Sequence, residues 1–228
     1  MAQSGDTFAH RRREWLKRAL AGGAALPLLL RDALAADKQS GGMVQINGEV
    51  LINGRAARLG APVLPGDHVV TAPGATATFV VGGDAFLLRE NSELLTSGRS
   101  NVLIASLRLV TGKLLSVFGR GQRRIATPTA TIGIRGTGIY LEVEPERTYA
   151  CTCYGVADLE ASNMPSARET VRTRHHDAPR YIHAHGEMPI KMIEVAPVIN
   201  HTDVELIMLE ALVGRTPPFV GSGMEMKY

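Results

Sequence analysis

The sequence predicts an all-β domain of many short strands, laid out as an antiparallel meander or a β-helix-like coil. A C-terminal extension with one short α-helix follows it. Three observations carry this. Turn signals recur at roughly 8–12-residue spacing through residues 43–160, the rhythm of strands rather than helices. Apolar residues between those turns alternate with polar ones, the period of a half-buried strand. One complete set of helix start and stop signals stands near the end of the chain, at 202–214.

Residues 1–35 are set apart from the domain. Arg11-Arg12-Arg13-Glu14-Trp15-Leu16-Lys17 is similar to a twin-arginine export signal, with Trp15 where phenylalanine is usual. An apolar run at 19–30 follows, then Ala33-Leu34-Ala35, a small-x-small cleavage pattern. The run would make about 18 Å of helix, too short for a hydrocarbon core of about 30 Å, and Pro27 weakens it further. No stable membrane span is therefore expected after cleavage.

The whole chain is formally +3, but residues 1–35 hold six Lys/Arg and three Asp/Glu, which leaves nineteen of each sign beyond them. The basic balance belongs to the targeting segment, so no nucleic-acid partner is expected. Twin-arginine export implies a protein folded before it crosses and a periplasmic destination, where disulfides can persist.

A polar linker at 37–42 leads into the β domain, expected over 42–160. Two short alternating segments around Gly48, with Asn53-Gly54 as a turn, predict an opening hairpin. Leu64-Pro65-Gly66-Asp67 is a turn in which proline presets φ and glycine accepts a positive one. Ala75, Ala77 and Phe79 share a strand face, Gly82-Gly83-Asp84 turns the chain, and Ala85-Phe86-Leu87-Leu88 returns. Two apolar runs at 102–109 and 113–118 are split by Thr111-Gly112. Arg120, Arg123 and Arg124 then read as a solvated loop.

The stretch Ile125 to Gly155 holds Thr127-Pro128, an extended bend by the constraint proline places on its predecessor. Gly133, Gly136 and Gly138 interrupt a strand pattern of Ile132, Ile134, Ile139, Leu141 and Val143 where a bulge is expected. Arg135, inside the glycine step, is expected to bind loop carbonyls or a carboxylate. The pattern Thr127, Pro128, Ala130, Gly133, Arg135, Gly136, Thr137 resembles the signature of the FecR domain, named after a regulator of bacterial iron-citrate uptake. Leu64 to Thr71 resembles a second step of that family, and the likeness covers roughly 42–160. It implies a domain that receives a signal from an outer-membrane receptor and passes it to a sigma factor. No cytoplasmic anti-sigma segment and no later span is read here, so the expectation is a soluble periplasmic module.

Beyond Gly155, the stretches at 156–161 and 169–177 read as the final strands of the meander, and the extension, 161–228, holds the histidine cluster and a helix at about 203–213. Thr202-Asp203-Val204-Glu205 is a capping box, and Val204, Ile207, Met208, Ala211 and Leu212 form one apolar stripe. Gly214 and Pro217-Pro218 stop it.

The chemistry-bearing residues cluster. Cys151 and Cys153 are the only cysteines, and five of the seven histidines lie between 175 and 201. In a strand, positions i and i+2 share a face, so both sulfurs project together. Three readings stay open: reduced core cysteines, metal ligation with histidine, or a strained or intermolecular disulfide. The metal set would be Cys151, Cys153, His175, His176 and His201, with at most one of His175 and His176 facing inward from a regular strand. Mixed thiolate and imidazole donors suit zinc or copper, not calcium or magnesium. His183 and His185 share a face if their segment is a strand. His176-Asp177 could orient an imidazole for catalysis, but nothing supplies a strand-turn-helix elbow, so no enzyme is expected.

The leading functional expectation is a non-catalytic periplasmic binding, scaffold or sensing module whose partner is an envelope protein or another envelope component. The alternative is a periplasmic zinc- or copper-binding, or redox, accessory protein using Cys151, Cys153 and nearby histidines.

Overall fold

The computed structural model describes residues 41–98, 104–185 and 191–223; the expected export signal at 1–35 and most of the linker lie outside them. In chain order the strands are β1 Gly42–Asn47, β2 Val50–Ile52, β3 Arg55–Ala56, β4 His68–Thr71, β5 Thr76–Val81, β6 Asp84–Leu88 and β7 Ser92–Ser97. They continue as β8 Ser106–Val117, β9 Gln122–Ala126, β10 Ala130–Val143, β11 Arg147–Ala161, β12 Met164–Thr173, β13 Arg180–His183 and β14 Ile193–Val195. One helix, α1 at Asp203–Leu212, closes the described residues. The all-β expectation is met: the strands form one open sheet, antiparallel except where β8 runs parallel to β9.

Three long strands organise the sheet, and each changes partners partway along. β10 pairs with β11 throughout, with β9 over 131–135 and with β8 over 138–143. The switch falls at Gly136 (φ +56°) and Thr137, inside the FecR-like signature. Thr137 is fully buried, and its hydroxyl donates to the Val156 carbonyl at 2.9 Å. It also accepts from the Arg135 amide at 3.2 Å, so one side chain ties the bulge to β11. Arg135 reaches the Asp158 carboxylate, as its position inside the glycine step predicts. Thr127 caps its own turn by accepting from the Ala130 amide at 2.9 Å, and its hydroxyl meets that of Thr148 at 2.7 Å.

β8 corrects one expectation. The two runs split at Thr111-Gly112 are a single strand, bent where Gly112 takes φ +89°. A Cβ there would stand 2.5 Å from Ser92 Cα, so only glycine lets β7 approach. Before the bend β8 pairs with β7; after it, with β6 and β10.

The opening hairpin is also different. β1 pairs with β5, not β2; Gly48 (φ +72°) redirects the chain and lets Ala75 pack where a Cβ would sit. The Asn53-Gly54 turn does form, joining β2 to β3 with φ of 51° and 75°. Pro65-Gly66 turns as expected, Gly66 at φ +103° and the Asp67 amide donating to the Leu64 carbonyl at 3.0 Å.

The basic loop is corrected too. Arg123 lies on β9 and is buried, its Nε donating to Asp84 Oδ2 at 3.0 Å, with side-chain exposures of 7% and 1%. Unpairing either charge inside the protein would be costly. In the continuous apolar core Phe79 stacks on Phe86 at 4.9 Å between centroids, and Phe118 meets Phe86 edge-on at 5.6 Å.

From residue 161 onward the chain continues the same sheet: β12 and β13 both pair with β11. α1 has the expected capping box, the Glu205 amide donating to the Thr202 hydroxyl and the Thr202 amide donating to the Glu205 carboxylate, and Gly214 follows its end at φ +75°. The helix packs on β6 and β8. Among the described residues no helix is long and apolar enough to cross a membrane.

Candidate metal centre

β11 is the platform. Its residues 147–150 pair with β13 and its residues 155–161 pair with β12, so the outer edge of 151–154 has neither strand beside it. Cys151 and Cys153 occupy that gap, both fully buried and neither in a disulfide. After β12 ends at Thr173 the chain bends instead of continuing, and the His176 amide closes the gap by donating to the Cys153 carbonyl at 2.9 Å. His176 takes φ +51° there, which turns its ring toward the sulfurs. The approach to α1 supplies the last side, with His201 immediately before the Thr202 cap.

Four donors converge. Cys151 Sγ, Cys153 Sγ, one nitrogen of His176 and one of His201 all lie within 4.8 Å of one another. Cys151 Sγ is 3.5 Å from His176 Nδ1, and that nitrogen is 3.0 Å from His201 Nε2. A tetrahedral zinc ion, with bonds of about 2.3 Å to sulfur and 2.0–2.1 Å to nitrogen, places its ligands about 3.3–3.8 Å apart. The donors here stand between 3.0 Å and at most 4.8 Å apart, a range that brackets that spacing. All four residues are at most 4% exposed.

The far side of each imidazole is held. His176 Nε2 lies 3.0 Å from Asp203 Oδ1, and His201 Nδ1 lies 2.6 Å from the Ile199 carbonyl oxygen. Both partners are acceptors, which assigns the protons to those outer nitrogens. His176 Nδ1 and His201 Nε2 then face each other across 3.0 Å, next to two sulfurs. Such outer-shell acceptors are what orient metal-binding histidines. Tyr140 stacks on His201 at 4.5 Å and fixes its ring plane.

The electrostatics of the cluster agree with a site that wants a cation. The Cys151 thiol is held well below its ordinary range, first by its hydrogen bond with Cys153 and then, against burial, by His176 and His201. Burial pushes Cys153 well above. Burial pulls His176 down, but Cys151 and Asp203 outweigh it and leave its pKa raised.

Of the five residues expected to ligate, four come together. His175 is buried as well, but its Nε2 turns to Asp203, at 2.8 Å from Oδ1 and 2.9 Å from Oδ2, and Phe219 stacks on its ring at 4.4 Å. Both neighbouring histidines point inward because the segment is a bend and not the regular strand expected. Asp203 was missed: its place in a capping box already accounted for it, and nothing local marks it as the carboxylate behind two histidines. Asp177, the expected partner of His176, instead closes its own turn by accepting from the Thr173 hydroxyl at 2.9 Å. His183 pairs with Glu194 at 2.8 Å, and His185 lies beyond the end of β13, exposed. The signature residues Thr127 to Thr137 stay structural, fixing β10 on β11.

No protein-family model matches the sequence, and neither does any curated protein. Two crystal structures of candidate anti-sigma factors from Parabacteroides distasonis ATCC 8503 are similar in part. One has a TM-score of 0.45 at 10% identity, over 56% of this chain and 57% of its own. The other has a TM-score of 0.34 at 12% identity, over 64% and 58%. The chain thus spans little more than half the length of either.

Proposed function

We propose that this protein is an exported, non-catalytic sensing or binding module built around a buried thiolate–imidazole metal centre. Cys151, Cys153, His176 and His201 are its ligands, and Asp203 and the Ile199 carbonyl are its outer shell. The observation that carries the proposal is the convergence of two sulfurs and two imidazole nitrogens within 4.8 Å of one another, away from water. Donors so placed are matched by a proton shared between them or by a metal ion at their centre, and a single ion satisfies all four at once. Four protein donors with no open position suit a structural ion more than a catalytic one.

Charge favours zinc over copper. Two thiolates and Zn(II) sum to neutral, whereas two thiolates and Cu(I) leave a buried negative charge beside the Asp203 carboxylate. The Arg12-Arg13 segment supports delivery to the periplasm, and the FecR-like signature supports an envelope protein as partner. The connectivity Cys151–His176–Asp203 also resembles a nucleophile–base–acid relay. His201 lies within 4.8 Å of the Cys151 sulfur and Cys151 is fully buried, which leaves a substrate no approach to the sulfur.

The test is stoichiometry. The full chain, purified without chelators, should carry one equivalent of zinc, and Co(II) in its place should show sulfur-to-cobalt charge-transfer absorption. Cys151→Ser with Cys153→Ser should lose both. Zinc retained by the double variant, or none in the wild type, overturns the assignment.

A further inference from the structure

Resting on the metal reading above, we infer that residues 197–219 form a strap that seals the ion in, and that a latch at Tyr154, Glu210 and Arg215 sets how fast the ion leaves. The centre is assembled from three stretches of chain: β11, the bend at 174–177 and the entry to α1. The first two are held by the sheet itself, since His176 is pinned to Cys153 by a backbone bond. The third returns across the site from outside the sheet and brings His201 as ligand and Asp203 as support.

The strap is fastened along its length. Tyr149 donates its hydroxyl to the Pro197 carbonyl at 3.0 Å. Arg89 Nη2 donates to the Asn200 carbonyl and to Glu205 Oε1, each at 2.8 Å. At the far end Glu210 is 3% exposed and accepts both the Tyr154 hydroxyl and Arg215 Nε, while Arg215 Nη1 also reaches the Gly83 carbonyl in the β5–β6 turn. Phe219 covers His175 and meets Tyr154 edge-on at 6.0 Å.

With every ligand at most 4% exposed, no chelator or acceptor protein can touch the ion in the closed molecule. Opening the sheet would break the long β10–β11 ladder. Lifting the strap breaks only side-chain fastenings and the packing of one helix, so it is the lower route. The buried carboxylate at the latch bonds a phenol and a guanidinium, and charge-assisted bonds of this kind are the strong ones. The ion is therefore loaded as the protein folds and afterwards exchanges only through strap opening. A twin-arginine substrate that folds before export would then carry into the envelope the metal it met while folding.

The experiment follows zinc release from the zinc-loaded full chain into excess chromophoric chelator. Wild type should release slowly, at a rate that stops rising as chelator is increased. Glu210→Gln and the milder Tyr154→Phe should each release about tenfold faster or more. Unfolding of the β core, followed by tyrosine fluorescence in denaturant, should change far less. Equal release from variants and wild type overturns the strap, as does release that merely tracks global unfolding, or wild-type zinc lost within the mixing time. A wild type that takes up no zinc fails earlier and brings down the metal centre itself, which keeps the two failures apart.

Discussion

His176 is the residue on which the centre depends, because its two nitrogens serve different partners. Nδ1 faces Cys151 and His201, and Nε2 donates to Asp203, which His175 also engages. Asp203→Asn should therefore weaken zinc about 10–100-fold while the four ligands remain, since second-shell partners of metal-bound histidines have effects of that size. Competition titration with a chelator of known affinity measures it; an unchanged affinity would mean that Asp203 serves only the helix. The sulfurs were legible in the sequence because i and i+2 on a strand must share a face. The choice of His176 over His175 was not, because it depends on a positive φ in a bend that follows a strand.

Arg135 and Asp158 give a separate residue-scale prediction, away from the centre. Asp158 has a lowered pKa, first through the Thr170 hydroxyl, with burial opposing it and Arg135 adding to the lowering. A carboxylate whose folded pKa is depressed stabilises the fold above its unfolded value of about 3.9, and that stabilisation is lost as pH falls through the lower folded value. The stability gap between wild type and Asp158→Asn should be constant from neutral pH down to about 5 and close below about 4. With side chains 51% and 44% exposed, the pair contributes no more than about 1 kcal/mol. A gap that widens in acid would contradict the assignment.

At the scale of elements, the bulges matter more than the strands. Gly136 and Gly155 face each other across β10 and β11, two residues beyond Cys153. Gly155 has φ +95°, and a Cβ there would stand 2.8 Å from the Gly136 carbonyl oxygen and 2.9 Å from Thr137 Oγ1. Gly155→Ala should cost at least about 1–3 kcal/mol in chemical denaturation and weaken metal binding with it, because the bulge sets where the sulfurs point. Gly136→Ala, at φ +56° with open space around its Cβ, should cost about 1 kcal/mol and leave the metal in place. Equal effects from the two would mean that the bulge does not position the centre. The glycines were readable as interruptions of a strand pattern, and the helix as a capping box followed by a glycine stop. What a sequence pattern does not carry is pairing over distance. β1 joining β5, β8 continuing through Gly112, and Arg123 finding Asp84 all depend on contacts between residues 29 to 39 positions apart or on a single backbone angle.

At the scale of the whole molecule, the long strands change partners partway along, and the change on β11 opens a gap in the sheet at the two cysteines. The chain fills that gap twice, first with the bend carrying His175 and His176, then with the strap carrying His201 and Asp203. The cysteine–histidine clustering was visible in the sequence; that the C-terminal stretch returns to complete the site was not, because residues 153 and 201 are joined only through the fold. The most direct test of the centre is X-ray absorption at the zinc edge of the purified full chain. Two sulfur scatterers at about 2.3 Å and two nitrogen scatterers at about 2.0–2.1 Å are predicted, with the outer-shell signature of imidazole rings. A shell of oxygen and nitrogen alone, or four sulfurs drawn from two molecules, would contradict a Cys151–Cys153–His176–His201 centre.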